Sequence, residues 1–213
     1  MSDRALILQR IRAGLARGAQ DWRAAPPPAS TSDLRVSISD RIKRFRERAE
    51  ALASTVVGPV ATTAVPQTVA RYLATHQLPR TAVVWPDVAR LDWNAHGISV
   101  RPGPARADDG VGVTGVYCAI AETGTLALLS SADTPATVSL LPETHIAIVP
   151  IARIVAHMED CFARVRAEAS GMPRAINFVS GPSRTADIEQ TVTVGAHGPY
   201  RVLVVLCESE LPT

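Results

Sequence analysis

An α/β domain preceded by a helical arm is the fold class that three observations predict. Helical and strand-like segments alternate from residue 65 onward. Several strand-like runs, among them Ala82-Val-Val-Trp85, His145-Ile-Ala-Ile-Val149 and Tyr200-Arg-Val-Leu-Val-Val-Leu206, are apolar enough to be buried. A tight glycine-containing turn inside 111–130 signals a hairpin, so the sheet is expected to be mixed rather than purely parallel.

Each element has a reason. Residues 4–18 place Ile7, Ile11 and Leu15 on one helical face. Ala25-Pro-Pro-Pro-Ala-Ser-Thr-Ser32 breaks that helix and has the composition of a stiff linker. A second helix is expected over 38–54, capped by Ser37 or Ser39, with Ile42, Phe45, Ala49 and Leu52 on one side. Residues 1–54 therefore read as a helical arm with its linker, and 55–213 as the α/β domain. The arm must bury its apolar stripe against the main domain or against a second copy of the chain, which makes it a route to a homo-oligomer. Pro66 to His76 reads as a helix, Ala82–Trp85 and 96–100 as strands, and 111–130 as the hydrophobic centre with its turn at Glu122-Thr-Gly-Thr125. Thr137–Leu141 and His145–Val149 read as further strands, Ile151–Glu168 as an amphipathic helix, and 175–180 and 200–207 as the last strands.

The totals exclude several functions. Of 213 residues, 46% are hydrophobic and 20% charged, a globular balance, and no run approaches the length of a membrane span. Met1-Ser-Asp-Arg-Ala-Leu-Ile7 lacks a signal-peptide core, so a cytoplasmic protein is expected. The three cysteines, Cys118, Cys161 and Cys207, include no Cys-x-x-Cys pair, and no His-x-x-x-His pair exists. Neither a disulfide framework nor a metal site follows, and no iron–sulfur cluster is expected in this chain. The net charge of +2 is uneven, because residues 1–48 carry eleven Arg or Lys against five Asp or Glu. Arg41-Ile-Lys-Arg-Phe-Arg-Glu-Arg48 is the densest stretch, and its periodicity reads as the solvated face of a helix. With no nucleic-acid-binding signature beside it, no nucleic-acid partner is expected.

Two loops could carry chemistry. In Ala121-Glu-Thr-Gly-Thr125, Gly124 permits a tight turn and the close approach of a ligand, Thr123 and Thr125 supply hydroxyls, and Glu122 is a charge between apolar runs. Such a carboxylate either has a defined partner or a shifted pKa, or it is an ordinary solvated turn residue. The richer segment is Ser180-Gly-Pro-Ser-Arg-Thr-Ala-Asp-Ile-Glu189 with Gly195-Ala-His-Gly-Pro199, too long for a simple reversal between strands. Gly181, Ser183, Arg184 and Thr185, with their backbone N–H groups, suit a phosphate or carboxylate, while Asp187 and Glu189 add carboxylates and Gly198 a second close approach. Arg184 and Asp187 could instead pair with each other along a helix. The segment is neither a Walker loop nor a dinucleotide fingerprint. His197 sits between small neighbours, open to acid–base, anion-binding or orienting roles, or to a plain turn contact. Ser183, His197 and Asp187 have the residue types of a nucleophilic triad, but nearness in sequence does not create triad geometry. His145 begins a strand and could approach the same sheet edge.

Four ordered motifs, Ala-Ile-Ala-Glu-Thr-Gly-Thr-Leu at 119–126, Leu-Leu-Pro-Glu-Thr-His-Ile at 140–146, Ser-Gly-Pro-Ser-Arg-Thr-Ala-Asp-Ile-Glu at 180–189 and His-Gly-Pro at 197–199, resemble the LUD-domain family. The resemblance covers about residues 60–207. Ala196 departs from the Val that the family often places before His-Gly-Pro, a small apolar exchange. The resemblance implies a fold like that of ribose-phosphate isomerase, the CoA transferases and the formyltetrahydrofolate cyclo-ligases, the NagB/RpiA/CoA transferase-like group. It also implies a part in oxidising L-lactate to pyruvate beside iron–sulfur partner proteins, with this chain as the cluster-free member. In that setting Arg184, Ser183 and backbone N–H groups would hold a small anion, and Glu122 or His197 would handle a proton. The rival expectations are a stand-alone CoA-transferase-like or cyclo-ligase-like enzyme using Glu122, and a non-catalytic assembly module. Whether the chain is itself an enzyme, and with what cofactor, is left open by the resemblance.

Overall fold

The computed structural model describes residues 3–17, 37–168, 173–186, 192–194 and 198–211. The chain divides into two compact units, Met1–Leu34 and Arg35–Thr213. The first holds α1 (Asp3–Arg17), in which Ile7 and Ile11 are exposed. The second begins with α2 (Ile38–Ala51). Ser37 Oγ accepts the Asp40 N–H at 3.1 Å, and Asp40 in the first turn and Arg48 in the last complement the helix dipole. Phe45 and Ala49, four apart on one face, are fully buried, and burying a side chain the size of Phe contributes about 1.5–3 kcal/mol. The helix expected in the arm therefore packs into the core of the second unit.

After α2 come β1 (Thr55–Val60), α3 (Val65–Thr75), β2 (Thr81–Val84), α4 (Pro86–Ala89), β3 (Ser99–Pro102) and β4 (Val111–Thr114). The hairpin β5 (Cys118–Ile120) and β6 (Thr125–Leu129) precedes α5 (Thr137–Leu140), β7 (Thr144–Pro150), β8 (Ile154–Val155) and α6 (Met158–Glu168). Last come β9 (Ile176–Val179), β10 (Arg184–Ala186), β11 (Val192–Val194) and β12 (Arg201–Cys207).

Six strands form one sheet in the order β1-β12-β7-β4-β2-β3, and every neighbouring pair in it is parallel. A second sheet, β8-β5-β6-β9, takes the hairpin and is the mixed one. The expected mixture of strand directions is thus divided between two sheets. Side-chain alternation along β7 separates two cores. Ile146 and Ile148 join Val65, Val69 and Leu73 of α3 on one face, while Ala147 and Val149 join Phe45, Ala49, Ala119 and Leu126 on the other. The hairpin and α2 therefore cover the same face of the parallel sheet.

Several elements differ from expectation, among them β10 and β11, which pair within the segment expected to be a loop. Residues 137–140 form a helical turn and not a strand, since Ser139 Oγ donates to Ala136 O at 2.9 Å and the Leu141 N–H to Thr137 O at 3.0 Å. Ile151–Glu168 is no continuous helix: a short turn leads into β8, where Ile154 pairs with Ala119, and α6 starts only at Met158. Residues 55–60, not anticipated, supply the edge strand β1 beside β12.

Candidate functional site

Glu122 follows β5 in the turn of the hairpin. Its N–H donates to Ala156 O at 3.1 Å, continuing the β5–β8 pairing, and this places its side chain at the start of α6. There Glu122 Oε1 accepts the Met158 N–H at 3.2 Å, and Oε2 lies 2.7 Å from His157 Nδ1. Asp160 Oδ2 in turn accepts the His157 N–H at 3.0 Å, the backward half of a capping box. Two carboxylates therefore satisfy the first N–H groups of α6, where the helix dipole favours negative charge. The hydrogen bond from His157 is the main reason that the Glu122 carboxyl is held below its ordinary value of 4.5; burial opposes it, and the Met158 N–H and the nearby Arg44 add to it.

An ionised Glu122 only accepts, so His157 Nδ1 is the donor in this hydrogen bond. Both side chains are a little over one quarter exposed, 29% for Glu122 and 28% for His157. A carboxylate that fixes the tautomer and orientation of a solvent-reachable imidazole is the arrangement that general-base catalysis uses. His157 was not anticipated from the sequence. The one local signal was Asp160 three residues later, a capping partner for residue 157.

The rest of the turn is packing. Gly124 has φ +69°, and a Cβ there would lie 2.4 Å from Ala49 N of α2. Gly181 has φ +78°, and its Cβ would lie 2.2 Å from Leu52 O, just past the end of the same helix. The close approach that these two glycines permit is to the backbone of α2 and of Leu52 just after it. Thr125 is buried, and its Oγ1 lies 2.8 Å from Ser180 Oγ, tying the two motifs together. Thr123 is exposed.

Beyond Gly181 the second motif leaves this contact. The Ser183 N–H donates to Pro199 O at 2.8 Å, and Gly198 lies against the Ser183 side chain. Arg184 is exposed and opens β10, opposite Val194. Because β12 begins at Arg201, this cluster lies at the amino-terminal edge of the parallel sheet, next to Glu143, whose carbonyl accepts the N–H groups of Tyr200 and Arg201. The structure thus joins Thr125 to Ser180 and Ser183 to Gly198–Pro199, and it gives Glu122 to His157. Asp187, Glu189 and His197 lie outside the described residues, as does the side chain of Thr185.

His145 is no edge residue. It is fully buried in β7 between β12 and β4, with Nε2 2.8 Å from Thr114 Oγ1, and burial lowers its pKa to about 4. It is a neutral core histidine.

Comparison with known proteins adds four findings. Residues 105–207 match the family model described as the LUD domain. The chain is 38% identical over 128 residues to lactate utilization protein C of Bacillus licheniformis, covering 58% of this chain and 53% of that one. It is 37% identical over 126 residues to lactate utilization protein C of Bacillus subtilis, covering 57% and 52%. The chain spans about half the length of the curated relatives it matches. Among solved structures, a DUF162 family protein from Deinococcus radiodurans superposes with a TM-score of 0.65 at 22% identity, covering 81% of this chain and 99% of that one, a likeness of fold.

Proposed function

Taking residues 105–207 as a LUD domain in a chain that resembles lactate utilization protein C, we propose that the protein is a component of a lactate utilization system. It supports the oxidation of L-lactate to pyruvate together with iron–sulfur partner proteins, which carry the electrons. The observation that carries this reading is that the LUD match contains all four motifs, at 119–126, 140–146, 180–189 and 197–199. Within it, Glu122 and His157 form the proton-handling pair: Glu122 orients the ring and His157 Nε2 exchanges the proton. Arg184 and Ser183 are the proposed contacts for a small carboxylate or phosphate-bearing ligand. We assign the parallel sheet, with helices on both faces, to the NagB/RpiA/CoA transferase-like group, and place the protein in the cytoplasm.

The test is reconstitution. Lactate-dependent dye reduction by the partner proteins should need this chain, and His157→Gln and Glu122→Gln should each depress it with the fold intact. Full activity without the chain sinks the proposal. A second reading draws on the ionised, partly exposed Glu122 as a carboxylate nucleophile of a stand-alone acyl-transferring enzyme. It expects turnover of an acyl-CoA or folate substrate by the isolated protein, abolished by Glu122→Gln. Turnover retained in that variant excludes Glu122 as the nucleophile.

A further inference from the structure

Cys118 on β5 and Cys161 on α6 are separated by 43 residues in sequence, yet their sulfurs lie 2.6 Å apart. Both are fully buried free thiols, in a small apolar cluster with Ile120, Ala127 and Val155. Cys207, the third cysteine, is also buried but belongs to the core on the α3 side. The pair therefore stands apart, with strand and helix already holding the two sulfurs face to face.

We propose that Cys118 and Cys161 form a reversible dithiol–disulfide site, oxidised by a hydroperoxide, that fastens the first turn of α6 to β5. Cys161 is the attacking sulfur. The Cys118 S–H donates to it, and this hydrogen bond, with Arg164 nearby and against the cost of burial, lowers the Cys161 pKa, while that of Cys118 is raised. The Cys161 thiolate attacks one oxygen of hydrogen peroxide; an S–O bond forms, the O–O bond breaks, and hydroxide leaves. Cys118, losing its proton, then displaces hydroxide from the sulfenic acid as the S–S bond forms. In sum, two thiols and one peroxide yield one disulfide and two waters. A dithiol reductant reverses the change through a mixed disulfide.

The site reaches the rest of the molecule through α6. Cys161 lies one turn from Met158 and His157, which hold Glu122, so the disulfide would restrain the helix end on which that pair depends. The cluster is small and lies apart from the two main cores, so the local opening that admits peroxide need not unfold the parallel sheet.

The test uses the full-length folded protein, treated with hydrogen peroxide, quenched, and alkylated in denaturant. Free thiols should fall from three to one, peptide mapping should show Cys118 joined to Cys161, and dithiothreitol should restore all three. The oxidised form should melt at a higher temperature, as closure of a loop of this length requires. In Cys118→Ser, a sulfenic acid should be trapped at Cys161 by dimedone. Three free thiols after peroxide, a link through Cys207, cross-linking only in urea, or no dimedone adduct in the variant each overturn the proposal.

Discussion

Gly124 and Gly181 occupy the same backbone region beneath the same helix, but the residues beside them do different things. The turn at 121–125 is short, yet its carboxylate has two donors, one of them an imidazole. The segment from Ser180 is longer and richer in hydroxyls and charge, and its described contacts include a hydroxyl pair with Thr125, a backbone bond to Pro199 and the β10–β11 pairing. In the first motif the location of one charged group at a helix end decides what that group can do. A carboxylate at the start of α6 answers the helix dipole, a task set by its position.

That comparison can be broken at its shared floor, α2. Phe45→Ala should cost about 3–5 kcal/mol, because it empties a fully buried site under both motifs. Urea unfolding measures it, and a loss below about 1 kcal/mol would detach α2 from the core.

Acid sharpens the comparison next, because two groups respond to it. His145 has a folded pKa of about 4 against an ordinary 6.5, so the unfolded chain binds the extra proton first and stability falls as pH drops from 6.5 to 4. The expected loss is on the order of 3 kcal/mol. His145→Asn should flatten that limb in a pH series of unfolding curves, and an unchanged slope would mean that the ring charges without penalty.

The two glycines should behave alike where the motifs' chemistry does not. Gly124→Ala and Gly181→Ala each force a Cβ into the backbone around α2 at positive φ, and each should cost at least about 2 kcal/mol. Near-neutral melting curves for either variant would show that a ligand, and not the helix, is what that glycine admits.

Smallest is the exchange of charges. Glu122→Gln should cost about 1–2 kcal/mol at neutral pH, from the weakened hydrogen bonds and dipole contact, whereas Arg184→Ala should stay within about 0.5 kcal/mol. Because the folded Glu122 pKa lies below 4.5, its contribution is complete above that value and disappears as pH falls through the folded value. The difference between wild type and Glu122→Gln should therefore close in acid. Equal losses for Glu122→Gln and Arg184→Ala would erase the distinction between the motifs.

What the sequence made legible follows from range. Val83–Val84, Ile146–Val149 and Val202–Leu206 read as strands because burial on both faces leaves an apolar run that needs no partner to be recognised. Ser37 announced α2 through a contact three residues away. Ile154 misled, since its helical spacing to Met158 was real but its partner is Ala119 across a sheet. Thr137-Val-Ser-Leu140 misled because its β-branched residues suit a strand, while the local hydrogen bonds close a helical turn. Glu122 was identifiable as a charge between apolar runs, but its partner stands 35 residues on, and nothing local joins them. The glycines were flagged for close approach, and only tertiary structure could say that α2 was what approached.

The position of β12 carries a consequence for how the chain is made. Residues 201–207 lie between β1 and β7, strands more than fifty residues upstream, and supply both with their parallel partner. Until that segment has been made, β1 has no neighbour and β7 shows an open edge, so the growing chain carries two unpaired borders while residues 151–200 are added. Closure of the parallel sheet therefore waits on a contact of long sequence range, the kind that slows folding.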